Sequence, residues 1–148
     1  MKPKTFTHPL NVSLHDIDAA GLMFFGHYFR HAHDAYEAFM RDLGLSLPKL
    51  VREGILLPLV HSEADYLLPV KHGDRLNVQI SDKRLGTSSF TLSCRFLDDQ
   101  ARDAARVETT HVMLDLESKR PKDLPESIHG ILNEYLVEPD VDLNPSQD

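Results

Sequence analysis

The residues best suited to chemistry crowd into one stretch, Leu14 to Glu37 (LHDIDAAGLMFFGHYFRHAHDAYE). Two carboxylates, Asp16 and Asp18, stand in a polar turn that runs into Ala19-Ala20-Gly21, and Phe24-Phe25-Gly26-His27 then leads into a helical pattern. Acids two residues apart point in different directions, so one of the pair is expected to do chemistry at most. A carboxylate held beside Leu22, Met23, Phe24 and Phe25 becomes more basic, which suits a general base or a nucleophile. The first N–H groups of a helix have no internal acceptor and lie at the positive end of its dipole. A carbonyl oxygen set against Phe25 and Gly26 would therefore be stabilised as it gains charge, and Gly26 would let a substrate approach closely. The plainer account of the same residues is turn-forming aspartates and two phenylalanines packed in a core.

Other candidates are more scattered. His61, Ser62 and Glu63 sit in a strand-like segment where they line a site or simply face solvent. Phe24, Tyr28 and Tyr66 offer flat faces to an aryl group. The basic pairs Lys71-His72 and Lys83-Arg84, with Ser88 and Ser89 after the second, flank turns and suit a phosphorylated ligand as a set; singly they read as solvated loop charges. Nine histidines invite a metal reading, but no HExxH or Cys/His spacing supports one, and no metal is expected. The single cysteine, Cys94, falls mid-strand in alternation with Phe90, Leu92 and Phe96, as a buried structural thiol would. No GxSxG elbow is present.

These residues need a scaffold, and the patterning supplies one. Tyr28, Ala32, Ala35, Tyr36, Phe39, Met40 and Leu43 recur at three- and four-residue steps, which predicts a helix over 27–43, about 17 residues and roughly 25 Å long, stopped at Gly44. Thr5–Leu14 predicts a first strand with Pro9 marking an edge or its start, and Ser46–Glu53 a short second helix capped by Ser46. Ile55–Leu68 holds two apolar patches around His61-Ser62-Glu63. Arg75–Leu85 and Ser89–Leu97 alternate, and Ala101–Leu116 carries a last long strand; Pro69–Asp74, Gly86-Thr87 and Asp98–Gln100 are the turns between. The expected class is α+β, with an antiparallel meander curved around one long helix. Glu126–Leu136 predicts a terminal helix, and Val137–Asp148 reads as an acidic, frayed tail. One domain over 1–148 is expected, its core over about 5–116.

Composition narrows the function. A formal net charge of −7 on 148 residues argues against general nucleic-acid binding. No apolar run is long enough for a membrane span, and the first residues lack the apolar stretch of a signal peptide. One cysteine allows no intrachain disulfide, which points to a cytoplasmic setting.

Asp16-Ile-Asp18-Ala-Ala-Gly21, then Phe24-Phe25-Gly-His-Tyr28, then a helix carrying Ala35-Tyr36-Glu37, resembles the 4-hydroxybenzoyl-CoA thioesterase family over residues 5–116. The resemblance implies the hotdog fold, a long helix wrapped by a curved antiparallel sheet, and hydrolysis of an acyl-CoA thioester to free acid and CoA. It implies Asp18 as the catalytic aspartate, acting as base or nucleophile, and Asp16 as the acid that holds the turn. It makes the N–H of Phe25, with Gly26 beside it, the oxyanion donor. Relatives often carry Tyr or His where this chain has Phe25, so only the backbone role carries over. Lys83, Arg84, Ser88 and Ser89 fall in the region that contacts CoA phosphates, with the local spacing altered by Gly86-Thr87. The resemblance implies no cofactor beyond the coenzyme A of the substrate. It implies a homo-oligomer, dimer or tetramer, with its site at a subunit interface. A thiol with a pKa of about 8.5 leaves without strong acid help, so a base or nucleophile plus a carbonyl-oxygen donor suffices.

The DxDAAG run with His33-Asp-Ala35-Tyr36-Glu37 also resembles 1,4-dihydroxy-2-naphthoyl-CoA hydrolases of quinone biosynthesis. Short-chain acyl-CoA hydrolases share the same features, so hydroxybenzoyl, dihydroxynaphthoyl and short-chain acyl groups all stay open. Two other functions fit such a fold: a non-catalytic acyl-CoA or acyl-carrier binding module, and an acyl-CoA dehydratase using His27 or His61 opposite an acid.

Overall fold

A computed structural model describes residues 2–137. Its elements in chain order are β1 (Phe6–Asn11), a 3-10 turn (Leu14–Asp16), α1 (His27–Asp42), α2 (Leu47–Arg52), β2 (Ile55–Leu56), β3 (Leu59–Tyr66), β4 (Arg75–Leu85), β5 (Ser89–Leu97), β6 (Asp103–Val112), β7 (Leu114–Asp115) and α3 (Glu126–Asn133). The two strictly alternating segments become β4 and β5 with the predicted bounds. The first strand is shorter than its apolar pattern, because Ser13 leads the chain into the 3-10 turn. The last strand breaks at Met113, and its end pairs instead with β2 as a separate two-stranded ribbon. The acidic tail from 138 onward lies outside the described residues.

The main sheet is antiparallel with the order β1-β4-β5-β6-β3. The meander over β4, β5 and β6 is the one that short turns require. β3, which precedes β4 in the chain, crosses to the far side of β6 and forms an edge. Pro9 sits in the other edge strand, opposite Asn77, where a missing N–H costs no central ladder bond.

Helix α1 lies on one face of this sheet, against β1, β3, β4 and β6, in the hotdog arrangement. Its inner side buries Tyr28, Ala32, Ala35, Tyr36, Phe39 and Met40, and the sheet answers with Val78, Ile80, Leu92, Cys94, Phe96 and Val107. Each large apolar side chain buried there contributes about 1.5–3 kcal/mol. Ala32 and Ala35 carry no bulk, so the helix backbone approaches the sheet closely. Cys94 is part of this core, and burial pushes its thiol up to about 12. Ile128 and Leu132 of α3 also enter the core, extending it beyond residue 116. Among the described residues, no helix is long and apolar enough to cross a membrane.

Among the buried ionisable groups are His111 and Asp82. His111 is sandwiched between Tyr36, 4.3 Å away between centroids, and Phe90, 5.1 Å away. Its Nδ1 donates to the Leu57 carbonyl at 3.3 Å and its Nε2 meets the Thr109 hydroxyl at 3.2 Å. Burial pulls its pKa down to about 4 against the opposing Leu57 carbonyl. Asp82 is fully buried beneath the C-terminal segment, its N–H donating to the Tyr135 carbonyl and its carbonyl accepting from Val137 N–H. Its Oδ1 accepts from Arg84 N–H at 3.2 Å, whereas Oδ2 has no partner among the described residues. Burial raises this carboxyl to about 7, with the Arg84 N–H pulling the other way.

The two groups tilt stability in opposite directions. An unfolded His111 takes up a proton below about 6.5 that the folded chain refuses until about 4, so this group favours folding as pH rises through that window. Folded Asp82 keeps its proton up to about 7, but the unfolded chain releases it near 3.8, so this group disfavours folding as pH rises. Urea unfolding between about pH 4.5 and 7.5 is therefore expected to show Asp82→Asn gaining stability with pH and His111→Phe losing it, each by on the order of 2–3 kcal/mol. Wild type should be flatter than either; three parallel curves would contradict the account.

Candidate active site

The loop before α1 is organised by Asp16, which is 1% exposed. Its Oδ2 accepts from Ser13 N–H at 3.0 Å, and its Oδ1 accepts from the Arg30 guanidinium and from His31 Nε2, 3.1 Å away. Burial alone would push this carboxyl up. The Ser13 N–H, His31 and Arg30 together outweigh it, leaving Asp16 below the ordinary carboxylate value. Burial, helped by the Arg30 charge, holds His31 below the ordinary imidazole value despite Asp16. The Asp16 carbonyl accepts from Phe24 N–H at 2.9 Å, and Met23 N–H donates to the Val70 carbonyl at 2.8 Å. The turn is thus tied both to the first turns of α1 and to the segment leading into β4.

Asp18 stands differently. Its N–H donates to the Leu22 carbonyl at 2.8 Å and its own carbonyl accepts from Gly21 N–H at 3.0 Å. Gly21 closes this turn at φ +82°, a left-handed geometry that glycine adopts without strain. The carboxylate Oδ1 accepts from Ala20 N–H at 2.8 Å and from Leu22 N–H at 3.3 Å. Oδ2 has no partner among the described residues. The side chain is exposed, and it lines a cavity of about 360 Å³ together with Phe25, Met23, Tyr28, Tyr66 and Val70. That volume lies at the lower end of small-molecule sites, about 300–1,000 Å³.

At the helix start, Phe24 N–H is used by Asp16, and His27 N–H donates to the Phe24 carbonyl at 3.0 Å. Between them, the N–H groups of Phe25 and Gly26 meet no acceptor among the described residues. Phe24 and Phe25 are both exposed and pack on each other, with centroids 4.5 Å apart, rather than joining the core. The space beside Gly26 is not open to a substrate as expected. A Cβ built there would fall 2.9 Å from Phe24 Cε2, so the missing side chain makes room for that ring.

Of the other candidates, Tyr28 enters the cavity, stacked edge-on against Tyr66 at 5.0 Å. His61 and Glu63 lie 3.3 Å apart on β3, both exposed. Alternation puts them on the face opposite Ala64 and Tyr66, away from α1, while Ser62 shares the inner face. Lys71 sits in the turn before β4, at the Asp18 end of the sheet. Lys83, Arg84, Ser88 and Ser89 lie at the opposite end of β4 and in the hairpin after it, and Lys83 is ion-paired with Glu108. One chain therefore does not gather the basic set around the cavity. Among the described residues no three His, Cys, Asp or Glu side chains converge as a metal site would require.

Sequence reasoning missed four contributors. Arg30 and His31 were legible only as polar positions on a helix, although their three- and four-residue offset from His27 puts them at its first turns. Pro69 and Val70, which with Leu68 wall the cavity, fall in a segment whose pattern marks only a turn. Tyr66 offers an aromatic face in the sequence, but its hydroxyl donates to the Phe25 carbonyl at 3.1 Å, a contact across 41 positions that no local pattern announces.

Residues 12–132 match the family model of the thioesterase-like superfamily. A 1,4-dihydroxy-2-naphthoyl-CoA hydrolase of Synechococcus sp. (strain WH7803) is 35% identical over 130 residues, covering 82% of this chain and 84% of its own. A protein of that name from Prochlorococcus marinus is 35% identical over 140 residues, covering 86% and 90%. Among solved structures, a 1,4-dihydroxy-2-naphthoyl-CoA thioesterase from Synechocystis superposes with a TM-score of 0.81 at 30% identity, covering 88% of this chain and 96% of its own. A Staphylococcus aureus protein solved in complex with CoA superposes at 0.86 with 20% identity over 98% and 92% of the two chains, a likeness of fold alone.

The Asp16 tie can be tested apart from any chemistry. Asp16→Ala strands the Ser13 N–H and the His31 ring without their acceptor, and is expected to cost about 2–3 kcal/mol in urea unfolding. A loss below about 0.5 kcal/mol, the range of ordinary surface substitutions, would show that the tie does not hold the loop.

Proposed function

The chain belongs to the thioesterase-like superfamily and is a thioester hydrolase, and from that we propose that it cleaves the CoA thioester of a small aromatic acid. In this reading Asp18 acts as base or nucleophile, and the N–H groups of Phe25 and Gly26 receive the carbonyl oxygen. The observation that carries it is the pairing of a carboxylate with a free Oδ2 and a helix start with unpaired N–H groups beside one cavity. As water or the carboxylate bonds to the thioester carbon, its oxygen becomes an anion held by those N–H groups. The C–S bond then breaks, and CoA leaves as a thiolate. When water attacks, its proton passes by way of Asp18 to that thiolate; when Asp18 attacks, water then hydrolyses the anhydride, which releases the acid, restores Asp18 and supplies the proton.

The acyl group is argued from the walls and from the relatives. Tyr28 and Tyr66 present ring faces and edges, and Met23 and Val70 supply apolar contact, as a flat ring needs. The relatives named above act, by name, on 1,4-dihydroxy-2-naphthoyl-CoA. They favour that bicyclic group over the 4-hydroxybenzoyl group of the sequence resemblance.

A homo-oligomer completes the reading. Of the two sheet edges, β1 is blunted by Pro9. β3 has no proline and exposes Leu59, Val60, Tyr66 and Leu67 at or beyond its ends, a template for pairing with another chain. Two copies of β3 paired antiparallel set the Leu59 end of one beside the Tyr66 end of the other. The β4–β5 hairpin lies at the Leu59 end, since Ser89 pairs with Val112 and His111 with Leu59. Its Lys83, Arg84, Ser88 and Ser89 would then meet the CoA phosphates of the neighbouring site.

Three measurements test this. A thiol-release assay with 1,4-dihydroxy-2-naphthoyl-, 4-hydroxybenzoyl- and butyryl-CoA should show kcat/KM for the aryl substrates at least about tenfold above butyryl-CoA. Asp18→Asn should lower kcat by about 10²–10⁴-fold while keeping fold and CoA binding; normal turnover would end the assignment. Val60→Glu should shift the protein to monomer in sedimentation and lose activity with it. A fully active monomer would place the whole site in one chain.

A further inference from the structure

The mechanism above leaves one polar contact at the cavity without a role: the Tyr66 hydroxyl, 3.1 Å from the Phe25 carbonyl oxygen. That carbonyl and the Gly26 N–H belong to the same peptide group, which is planar and trans, so the direction of one fixes the other in the opposite sense. The Phe25 carbonyl lies one residue before the helix cap at Gly26. Its other donor is Tyr28 N–H at a long 3.4 Å, so Tyr66 makes the closer bond. Tyr66 is itself held, its ring edge-on against buried Tyr28, whose ring in turn meets Phe96 at 5.4 Å. It reaches the helix from β3, so this bond also fixes the helix start relative to the strand that lines the cavity.

We infer that Tyr66 is a positioning residue for the oxyanion site: by donating to the Phe25 carbonyl it aims the Phe25–Gly26 peptide and polarises its N–H toward the thioester oxygen. A hydrogen bond accepted at the carbonyl of an amide strengthens the donation from its N–H. The effect is greatest in the transition state, when the thioester oxygen carries most charge, so it acts on kcat more than on KM. This inference rests on the reading of the Phe25 and Gly26 N–H groups as oxyanion donors.

Tyr66→Phe keeps the ring and its packing on Tyr28 and removes only the hydroxyl. It is expected to lower kcat about tenfold with KM nearly unchanged, short of the roughly 10²–10³ that follows outright loss of an oxyanion donor. The second measurement is the infrared carbonyl stretch of ¹³C-carbonyl benzoyl-CoA bound to the Asp18→Asn protein, with and without Tyr66→Phe. Binding is verified by calorimetry and folding by circular dichroism. A shift to lower wavenumber in Asp18→Asn that shrinks in the double variant supports the role. A shift that the double variant keeps in full overturns the role of Tyr66 and leaves the oxyanion reading standing. No shift in bound Asp18→Asn removes the oxyanion reading and this inference with it. A rise in KM with kcat unchanged would make Tyr66 a substrate contact and overturn the inference as well.

Discussion

The buried carboxylate of Asp16 is the constraint around which the rest of the site is arranged. A charge that far from water has to be met by donors, and an unmet one costs several kcal/mol. The chain meets it by folding Ser13 back through the 3-10 turn and by presenting His31 and Arg30 from the first turns of α1. Arg30 keeps contact with solvent, with 43% of its side chain exposed, so its share of the attraction is screened. The Ser13 N–H and the His31 ring carry the buried part. Once these bonds form, the loop from 17 to 25 has its ends fixed, and its carbonyl at 16 removes Phe24 N–H from the helix start. The next two N–H groups are the ones left over. The geometry of the proposed oxyanion site is thus a consequence of how a neighbouring acid is satisfied.

Much of this was legible in the sequence, where one local rule decides one local outcome. Period-two alternation gave β4 and β5 their bounds, and three-four spacing gave α1 its length to within one residue. Glycine at 21, beside the aspartates, marked a turn that does need positive φ. What alternation reports is which face a side chain takes, not which strand lies alongside. Nothing in Leu59–Tyr66 announces that it pairs with β6 rather than with β4, which follows it in the chain. That choice is made by the whole sheet, as is the break at Met113, where β7 leaves β6 to pair with Ile55-Leu56.

The site itself was legible in its parts and not in its assignments. Asp16 and Asp18 are the same residue type in the same turn. Only a partner fourteen and fifteen positions away, on the helix, separates the acid that is consumed structurally from the acid that keeps an oxygen free. Ala19, Ala20 and Gly21 allow this by letting the chain double back so that Asp18 Oδ1 takes two backbone N–H groups. One oxygen of Asp18 therefore fixes its own orientation while the other is available, a division that two separate residues would otherwise have to supply. The basic residues illustrate the opposite case. Their composition suggested one phosphate-binding set, but an eleven-residue strand holds Lys71 and the Lys83–Ser89 group at opposite ends of the sheet.

That separation and the exposure of Asp18 lead to the same place. A carboxylate open to water is a poor partner for a thioester, because water competes for it and for the N–H groups opposite. Catalysis of the proposed kind needs the cavity closed while the bond changes. Met23, Tyr28 and Val70 wall the cavity within one chain, and Tyr66 lines it from the end of the edge strand β3. The same edge carries the exposed apolar residues that a second β3 would cover, and the same antiparallel pairing would carry the distant basic hairpin toward the cavity. A ring lying against Tyr28 and Tyr66 would fill what remains. If the proposed pairing forms, an exposed acid, an apolar edge and a distant basic hairpin would all be answered by one shared surface. The Tyr66 hydroxyl, which joins that edge strand to the helix start, is the point where closing the surface would be felt by the peptide proposed to receive the oxyanion.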